Sequence, residues 1–337
     1  IEGLFLEYLR NPLLEKLEDQ AVFEFGAPAA GIAGIGNNGH AQTRMAFTTD
    51  SYVVDPIFFP GGDIGKLAIN GTVNDLAMSG ARPIYLSAGF ILEEGFPIEN
   101  LRRILESMRD AAGEAGVAVV TGDTKVVQKG SADKLFINTS GIGVIENTLN
   151  ISAARAEVGD KVILSGTVGD HGTTIMIARG ELELETDIES DTAPLNGLVQ
   201  EMVEEAESLR AFDAIHCLRD PTRGGVATTL NEIALSSEVY IEIDEDLIPV
   251  REEAKGACEI LGLDPLYVAN EGKLIAIVEP GIAERMVNRM KRNRYGRQAS
   301  IIGEVKAEPR GIVAMRTGFG GTRIVDMLVG EQLPRIC

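Results

Sequence analysis

Alternation of apolar and polar positions divides the first half of the chain into strands and helices. Residues 43–55, TRMAFTTDSYVVD, are rich in β-branched and aromatic side chains and predict a strand. The Pro/Gly turn FFPGGD follows, with Asp63 placed to cap a helix over 64–80. Apolar residues at helical spacing over 98–112 predict a second helix. The remaining strands are predicted at 84–92, at 134–146 and at 116–124, where GVAVVTGDT indicates a buried strand that runs into a loop.

A boundary near residues 150–160 separates a second half of the same kind. Between 156 and 180 the sequence indicates a strand, a glycine loop and a helix. Residues 181–207 are heavily acidic, and we expect them to form a solvated surface segment. Helices are predicted over 222–236, 251–261 and 282–293, and strands over 239–243, 273–279, 300–305 and 311–315, before a glycine turn, GFGG.

Two halves that each alternate strands and helices predict an α/β fold with two mixed domains. The predicted domains cover residues 1–152 and 153–329. Residues 330–337 form a tail, which Pro334 keeps out of helices and central strands because its ring fixes φ and removes a donor. We expect this tail to be mobile.

Composition and charge exclude several classes of function. The net charge is -20 and Trp is absent, which argues against binding to DNA, RNA or anionic membranes. No apolar run approaches the ~20 residues of a membrane span, and no signal peptide is visible, so the cytoplasm is the expected location. The acidic balance suits binding of Mg²⁺, or of a nucleotide through a bridging metal.

The chain has three cysteines, and one of them is the last residue. Cys217, Cys258 and Cys337 form no CxxC pair, so neither a disulfide framework nor a zinc site is expected. A terminal thiol has no downstream chain to hold it in a core, and eight extended residues span roughly 26 Å. Cys337 can therefore reach a pocket and be modified there. The alternative is an accidental cysteine in a frayed end.

Acidic residues recur where the local pattern favours small, apolar or turn residues. Asp50 ends the segment MAFTTD, Asp75 lies inside the first helix, and Asp123 follows a strand in VVTGDTK. Asp220 precedes a helix in RDPTRGG, and Glu271 precedes a strand in ANEGKL. Taken singly, each is a cap or turn residue. Together they predict a cradle for Mg²⁺ and a nucleotide, because hard cations prefer carboxylate and phosphate oxygens.

Three glycine-containing segments offer groups for a phosphate. TGDTKVVQKG supplies hydroxyls and cations, although an exposed loop is the alternative. RDPTRGG resembles a helix N-terminus with unsatisfied N–H groups, and SGTVGDHG is a weaker example of the same kind, since Gly and Asp also make ordinary turns. The chain has no GxxxxGK[ST] motif, so any use of ATP falls outside the P-loop class.

These segments together resemble the HypE family of hydrogenase maturation factors, in the superfamily of aminoimidazole ribonucleotide synthetase and selenophosphate synthetase. The resemblance runs from about residue 4 to residue 337. Its segments are TTDSYVVDPIFFPGGDIGKLAINGTVNDLAMSGARP, TGDTKVVQKG, RDPTRGGVA, NEGKL and the terminal PRIC. It implies a PurM-like fold, with an N-terminal ATP-binding domain that forms a homodimer through its strands and a C-terminal α/β domain.

The resemblance also implies a reaction. The carbamoyltransferase HypF loads a carbamoyl group onto the terminal cysteine, and ATP drives its dehydration to a thiocyanate. The cyano group passes to iron held by a HypC–HypD complex, on the way to an [NiFe]-hydrogenase. The alternatives are another ATP-using synthetase of the superfamily, or a non-enzymatic maturation adaptor whose tail docks on a partner.

Roles for individual residues follow from the resemblance. The residues expected to hold Mg²⁺ and ATP are Asp19, in LEDQAV, with Asp50, Asp75 and Asp220. Further nucleotide contacts are implied for Lys66, Asp123 and Thr124. The expected catalytic residues are Cys337 as substrate carrier, Glu271 as base, Lys125 as stabiliser of the oxygen or phosphate, and Asp75.

Two departures from the family pattern concern the N-terminal region. The family's glycine-rich N-terminal segment has no counterpart in this sequence. Residues 31–42, GIAGIGNNGHAQ, stand where the family has a short connection, and we predict a variable hairpin loop there.

Overall fold

The structure, a computed structural model, describes residues 11, 13–16, 18–25, 43–146, 148–180, 186–211, 213–328, 330 and 335–337. The predicted hairpin loop at 31–42 lies outside them. The strands are β1 (Ala21–Phe25), β2 (Thr43–Tyr52), β3 (Phe58–Phe59), β4 (Gly62–Asp63), β5 (Arg82–Glu93), β6 (Ala118–Val127), β7 (Leu135–Ile145), β8 (Lys161–Leu164), β9 (Ile215–Arg219), β10 (Tyr240–Asp244), β11 (Ile275–Val278), β12 (Ser300–Lys306), β13 (Ile312–Arg316) and β14 (Thr322–Val325). The helices are α1 (Ile64–Met78), α2 (Ile98–Ala115), α3 (Asp170–Ala178), α4 (Asn196–Ser208), α5 (Gly225–Ser236), α6 (Glu252–Leu261) and α7 (Pro280–Met290).

The first half forms a five-stranded sheet in the order β1-β2-β7-β5-β6. Neighbouring strands are antiparallel except β5 and β6, which run parallel because α2 carries the chain back between them. Helix α1 packs on β2 and β7 and is buried along almost its whole length. Asp63 caps it as predicted, since its side chain accepts hydrogen bonds from the N–H groups of Gly65 at 2.7 Å and Lys66 at 3.0 Å.

The second half forms a seven-stranded sheet in the order β14-β13-β10-β12-β8-β11-β9. Its central strands are buried on both faces, because α4 and α7 cover one face and α5 covers the other. On β8, Ile163 packs with α4 and α7, whereas Val162 and Leu164 pack with α5. The two-domain α/β fold predicted from the sequence is therefore confirmed.

The prediction of a buried strand at 116–124 is wrong about burial and about where the strand ends. Strand β6 continues to Val127, and every residue from Ala118 to Val126 is exposed. The cause is the place of β6 at the edge of its sheet, where it pairs with β5 on one side and has no strand on its outer side among the described residues. An apolar run looks the same in sequence whether its own chain or another surface covers it.

The prediction of a solvated surface segment at 181–207 also needs correction. Residues 181–185 lie outside the described part of the chain, but α4 buries Leu198 and Met202 against α7. Asp191 is buried as well, in an ion pair with Lys273 at 2.8 Å. The many glutamates of α4 obscure its apolar stripe. Strands β9 and β14 are not predicted from the sequence, because each is too short to show a period of its own.

Helix α1 joins the two halves. Its last turn, with Ala77 and Met78, lies in the apolar core of the second half. The Asn74 side chain donates a hydrogen bond to the Ala193 carbonyl at 3.1 Å and accepts one from the Leu195 N–H at 2.8 Å. Asp75, the next residue, therefore lies where both sheets meet. None of the helices in the described residues has the length and hydropathy that a membrane crossing needs.

Candidate active site

Aspartates from separate elements meet at the C-terminal half of α1. The Thr48 hydroxyl on β2 lies 2.8 Å from Asp75 Oδ2 and 3.0 Å from the Asp19 carbonyl oxygen. The Arg219 Nε atom at the end of β9 lies 2.8 Å from Asp19 Oδ1, and Asp220 follows directly. The cluster thus draws one carboxyl group from a helix, one from the β9 end and one from the segment before β1.

Asp50 faces the same cluster from β2. It lies two residues beyond Thr48 on the strand, and alternate residues of a strand share a face. Its charge raises the pKa of Asp75 and of Asp220, although burial is the larger cause for both. Unlike the other three aspartates it is exposed. The structure therefore brings together the four aspartates that the sequence singles out for Mg²⁺ and ATP.

Burial dominates the electrostatics of this cluster. It raises the pKa of Asp19 and of Asp75 well above the ordinary range, and it raises the pKa of Asp220 to about 6. The carboxylates also act on one another, because Asp220 and Asp19 further raise the pKa of Asp75. Arg219 opposes these effects at Asp19 and Asp220. The cluster is short of positive charge in the absence of a bound cation.

The donor set fits a hard cation. Asp19 Oδ2 is buried and accepts no hydrogen bond. Within the described residues, no three His, Cys, Asp or Glu side chains are arranged to enclose a metal ion by themselves. Mg²⁺ commonly takes only one or two carboxylates and completes its shell with phosphate oxygens and water. The aspartates therefore fit Mg²⁺ bound together with a nucleotide.

Glu271 enters the site from the turn before β11. Its N–H donates to Asp191 Oδ1 at 3.0 Å, and Asp191 is held in turn by Lys273. The backbones approach so closely that a Cβ on Gly272 would lie 1.8 Å from the Asp191 carbonyl oxygen, so only glycine fits. Burial, followed by the charge of Asp191, raises the pKa of Glu271 well above the ordinary range. Glu271 Oε1 is buried and has no hydrogen-bond partner.

The described tail residues are docked beside Glu271. Val53 N–H donates to the Cys337 carbonyl at 3.0 Å, and Asp55 N–H donates to the Arg335 carbonyl at 3.2 Å. Ile336 is 3% exposed and belongs to the core of the first half. The tail therefore lies along residues 53–55 as an added extended segment, and its end carries the sulfur into the site.

The docked sulfur of Cys337 is held as a protonated thiol. Burial, and then the charge of Glu271, raises its pKa to about 12. Arg223 opposes this shift, since its Nη2 donates to Cys337 Sγ at 3.4 Å. Arg223 is placed there by the next two residues, Gly224 and Gly225, whose φ angles of 80° and 62° are left-handed. In the sequence, RDPTRGG indicates only a helix N-terminus, and Arg223 is not predicted as a site residue, although consecutive glycines signal such a turn.

A tyrosine hydroxyl is buried one helical turn from Asp75. A Cβ on Gly71 would lie 2.2 Å from the Tyr52 Oη atom, so glycine at this position admits the hydroxyl against α1. Burial raises the pKa of Tyr52 well above the ordinary range, and the charges of Asp50 and Asp75 raise it further. Nothing in the local sequence distinguishes Tyr52 from a core tyrosine, so it is not predicted as a site residue.

Three predicted site residues lie on the exposed edge strand β6 instead. Through the register of β2, β7, β5 and β6, Asp50 is aligned with Gly122, the residue before Asp123. Three strand spacings separate them, about 14 Å within one chain. Asp123 pairs with Lys125 at 3.2 Å, with both side chains more than two thirds exposed (72% and 71%). Within the described chain Asp123, Thr124 and Lys125 do not join the aspartate cluster.

Lys66 lies at the other end of α1 from Asp75. The two residues are nine positions apart, which corresponds to about 13 Å along the axis and opposite sides of the helix. The Lys66 Nζ atom donates to the Gly61 carbonyl at 2.8 Å. The structure does not bring Lys66 to the aspartates of this chain.

Comparisons with known proteins agree with this geometry. Family models for AIR synthase related proteins match twice, the N-terminal domain at residues 18–145 and the C-terminal domain at residues 157–316. A carbamoyl dehydratase HypE from Azotobacter vinelandii is 54% identical over the whole chain, which covers 93% of that relative. A crystal structure of a HypE–HypF complex has a TM-score of 0.87 and 49% identity, over 97% of this chain and 99% of that one. A HypE crystal structure in complex with ATP has a TM-score of 0.82 and 48% identity, over 99% of this chain and 94% of that one. With full-length relatives at this identity, a PurM-like fold in two matched domains and a terminal cysteine docked among carboxylates, the chain belongs to the HypE family of carbamoyl dehydratases.

Proposed function

We propose that this chain uses ATP and Mg²⁺ to dehydrate an S-carbamoyl group on Cys337 to an S-cyanate, which supplies a cyanide ligand for the iron of an [NiFe]-hydrogenase. Membership of the family shows that the chain is an enzyme with a HypE role in hydrogenase maturation. The proposed dehydration on Cys337 rests on one observation above all. The Cys337 side chain is partly buried next to Glu271, with Asp50 of the aspartate cluster close by.

The proposed reaction follows from what dehydration of an amide requires. The carbamoyl oxygen is a poor leaving group, so it first attacks the γ-phosphorus of ATP, and ADP leaves. Phosphate then departs with that oxygen as the two N–H protons are removed, which leaves S–C≡N on Cys337. Glu271 accepts a proton, because its buried and unpaired Oε1 and raised pKa suit a general base. Asp19, Asp50, Asp75 and Asp220 would hold Mg²⁺, which would neutralise phosphoryl charge when bound with the nucleotide.

The chemistry of the sulfur favours a carrier over a nucleophile. In the docked position its pKa of about 12 leaves almost no thiolate at neutral pH, and the thiolate is the reactive form. A carbamoylated sulfur carries no charge and loses nothing from the same burial. We therefore propose that loading takes place with the tail undocked, at the carbamoyltransferase HypF, and dehydration with the tail docked. Delivery to a HypC–HypD complex would again require release.

A homodimer in the cytoplasm is the proposed form of the enzyme. The support is β6, a ten-residue edge strand on which Val119, Val120 and Val126 are 43%, 58% and 67% exposed. Long apolar edges of this kind are normally covered. Asp123 and Lys125 on the same strand would then face a second copy, where we propose that they contact its nucleotide.

Replacement of the terminal sulfur should abolish the reaction on the protein. After carbamoylation by HypF, the wild-type chain should lose the mass of one water when ATP is added in single turnover, whereas Cys337→Ala should neither load nor lose water. Cys258→Ala, at a buried cysteine away from the tail, should behave as wild type. ATP turnover by a chain truncated before residue 330 would favour a different synthetase, and partner binding without ATP hydrolysis would favour an adaptor.

Removal of the proposed base, Glu271, should slow dehydration without weakening ATP binding. Glu271→Gln keeps the size of the side chain but cannot accept a proton, so we expect ATP affinity within about twofold of wild type and dehydration slower by about 100-fold or more. Glu259→Gln, on the exposed face of α6, is the matched control and should leave both unchanged. Wild-type dehydration rates in Glu271→Gln would remove Glu271 from the mechanism.

Neutralising one aspartate should stabilise the apo protein while weakening Mg-ATP binding. The pKa of Asp220 is about 6 in the folded protein, above the ordinary Asp pKa of about 4 that applies in the unfolded chain. The ionised carboxylate therefore destabilises the folded state above about pH 6, and this cost disappears below about pH 4. Asp220→Asn should therefore raise the free energy of unfolding by roughly 1–3 kcal/mol at about pH 7.5, with the gain vanishing at about pH 4. Urea unfolding at both pH values, with and without Mg-ATP, measures this.

The control for that experiment is Asp110→Asn on the exposed face of α2, which should change the apo stability by no more than about 0.5 kcal/mol. Mg-ATP should stabilise wild type more than Asp220→Asn, because ligand that binds only the folded state adds its binding free energy. Equal stabilisation of the two proteins would argue against a metal-binding role for Asp220.

A charge on the β6 edge should dissociate the homodimer. Val120→Lys places a cation in the middle of the proposed strand pairing, so light scattering after size exclusion should show a shift from dimer to monomer. Val158→Lys, also at an exposed valine but in the second half, should remain dimeric. A wild-type chain that is monomeric at all concentrations, or an unaffected Val120→Lys dimer, would contradict the proposal.

A further inference from the structure

The docked tail is recognised through its backbone. Each of the three carbonyl oxygens of residues 335–337 receives a hydrogen bond. Two come from backbone N–H groups, as described above. The middle carbonyl, of Ile336, has a different donor, since the Nε2 atom of His171 lies 2.7 Å from it. Arg179 adds a guanidinium contact to the carbonyl of Arg335.

His171 is built to make this contact. It lies in the first turn of α3, within the SGTVGDHG segment, and is fully buried. The Ser190 hydroxyl lies 2.8 Å from its Nδ1, and the Phe59 ring meets its ring edge-on with centroids 5.6 Å apart. A carbonyl can only accept, so Nε2 carries the hydrogen. In a neutral ring Nδ1 then accepts from Ser190, which fixes the ring orientation.

The neutral form is the one that this environment favours. Burial lowers the pKa of His171 below its ordinary value, although Asp191 acts in the opposite direction. Arg179 is the residue that follows the last turn of α3, and it also donates to the Asp55 carbonyl. Side chains from the two ends of α3 therefore hold two successive tail carbonyls.

We propose that His171, together with Arg179, is a positioning residue that holds the tail in its docked place and so sets the reacting sulfur of Cys337 beside Glu271. The importance for catalysis rests on the proposed function, whereas the docking itself does not. His171 touches neither the sulfur nor the nucleotide site. Its effect is on how often the tail is docked.

The test is the alkylation rate of Cys337 in the full chain with iodoacetamide at about pH 8, followed by mass spectrometry. His171→Leu keeps the apolar volume but leaves the Ile336 carbonyl without its donor. We expect Cys337 to react roughly 5- to 150-fold faster, the factor expected for an orphaned buried acceptor. His171→Gln can place an amide N–H near Nε2 and should return the rate to within a few-fold of wild type.

Internal controls separate docking from unfolding. Cys217 and Cys258 are both buried, so they should stay unreactive in each variant that is folded. His216→Leu, at a buried histidine that pairs with Asp160 far from the tail, should not accelerate Cys337. If His171→Leu exposes all three cysteines, Arg179→Met provides the second variant, and Arg310→Met, at an exposed arginine, provides its control. Unchanged Cys337 labelling in a folded His171→Leu or Arg179→Met chain would overturn the proposal.

The carbamoylated protein gives the second readout. His171→Leu should slow single-turnover dehydration in proportion to the loss of docking, with ATP affinity unchanged, and His171→Gln should restore it. If labelling changes as expected but wild-type protein does not dehydrate the carbamoyl group, the docking role stands and the proposed function fails. If wild type dehydrates normally and labelling does not respond, the docking role fails alone.

Discussion

Crowding of buried carboxyl groups is the constraint on which the site depends. Asp19, Asp75, Asp220 and Glu271 all have raised pKa values with burial as the first cause, and Arg219 neutralises only part of the charge. A fold selected for stability alone would replace such groups with apolar ones, because desolvated charge is costly unless paired. The two halves meet at α1 in a way that keeps these oxygens together, and under the proposed function a metal–nucleotide complex would neutralise them.

Under the proposed function, the same charges would make the terminal sulfur a carrier and not a nucleophile. Among carboxylates a thiolate is disfavoured, and the raised pKa of Cys337 reflects that field. A thiocarboxamide is neutral and polar, so it suits the docked position better than the free thiol does. In the proposed reaction Arg223, whose Nη2 donates to Cys337 Sγ, would face a group with developing negative charge on oxygen.

Much of the fold is predictable because its signals are local. The cap at Asp63, the periodicity of α2 and the apolar strands around the central helices each follow from a few adjacent residues. The aspartates could be chosen as a set by residue type, but their proximity is set by long-range packing of α1 on two sheets. The exposure of β6 could not be predicted, because an apolar edge gives the same pattern as a buried strand. Lys66 shows a second limit of prediction from sequence. A motif gives the position of a residue along the chain, but not the side of the helix on which its side chain lies.

Tail recognition by backbone carbonyls leaves no signature in the tail sequence, because any residue offers the same oxygen. Recognition through the backbone also suits a tail that, under the proposed function, must be released from its docked position. Four hydrogen bonds to the tail carbonyls, from Val53, Asp55, His171 and Arg179, and the burial of Ile336 offset the cost of ordering three residues, which is about 1–2 kcal/mol each. The Arg335–Asp133 ion pair adds little, because both side chains are substantially exposed. Loss of one donor such as His171 would shift this balance toward release, so under the proposed function small changes in the tail contacts would move the sulfur between loading and dehydration without any rearrangement of either sheet.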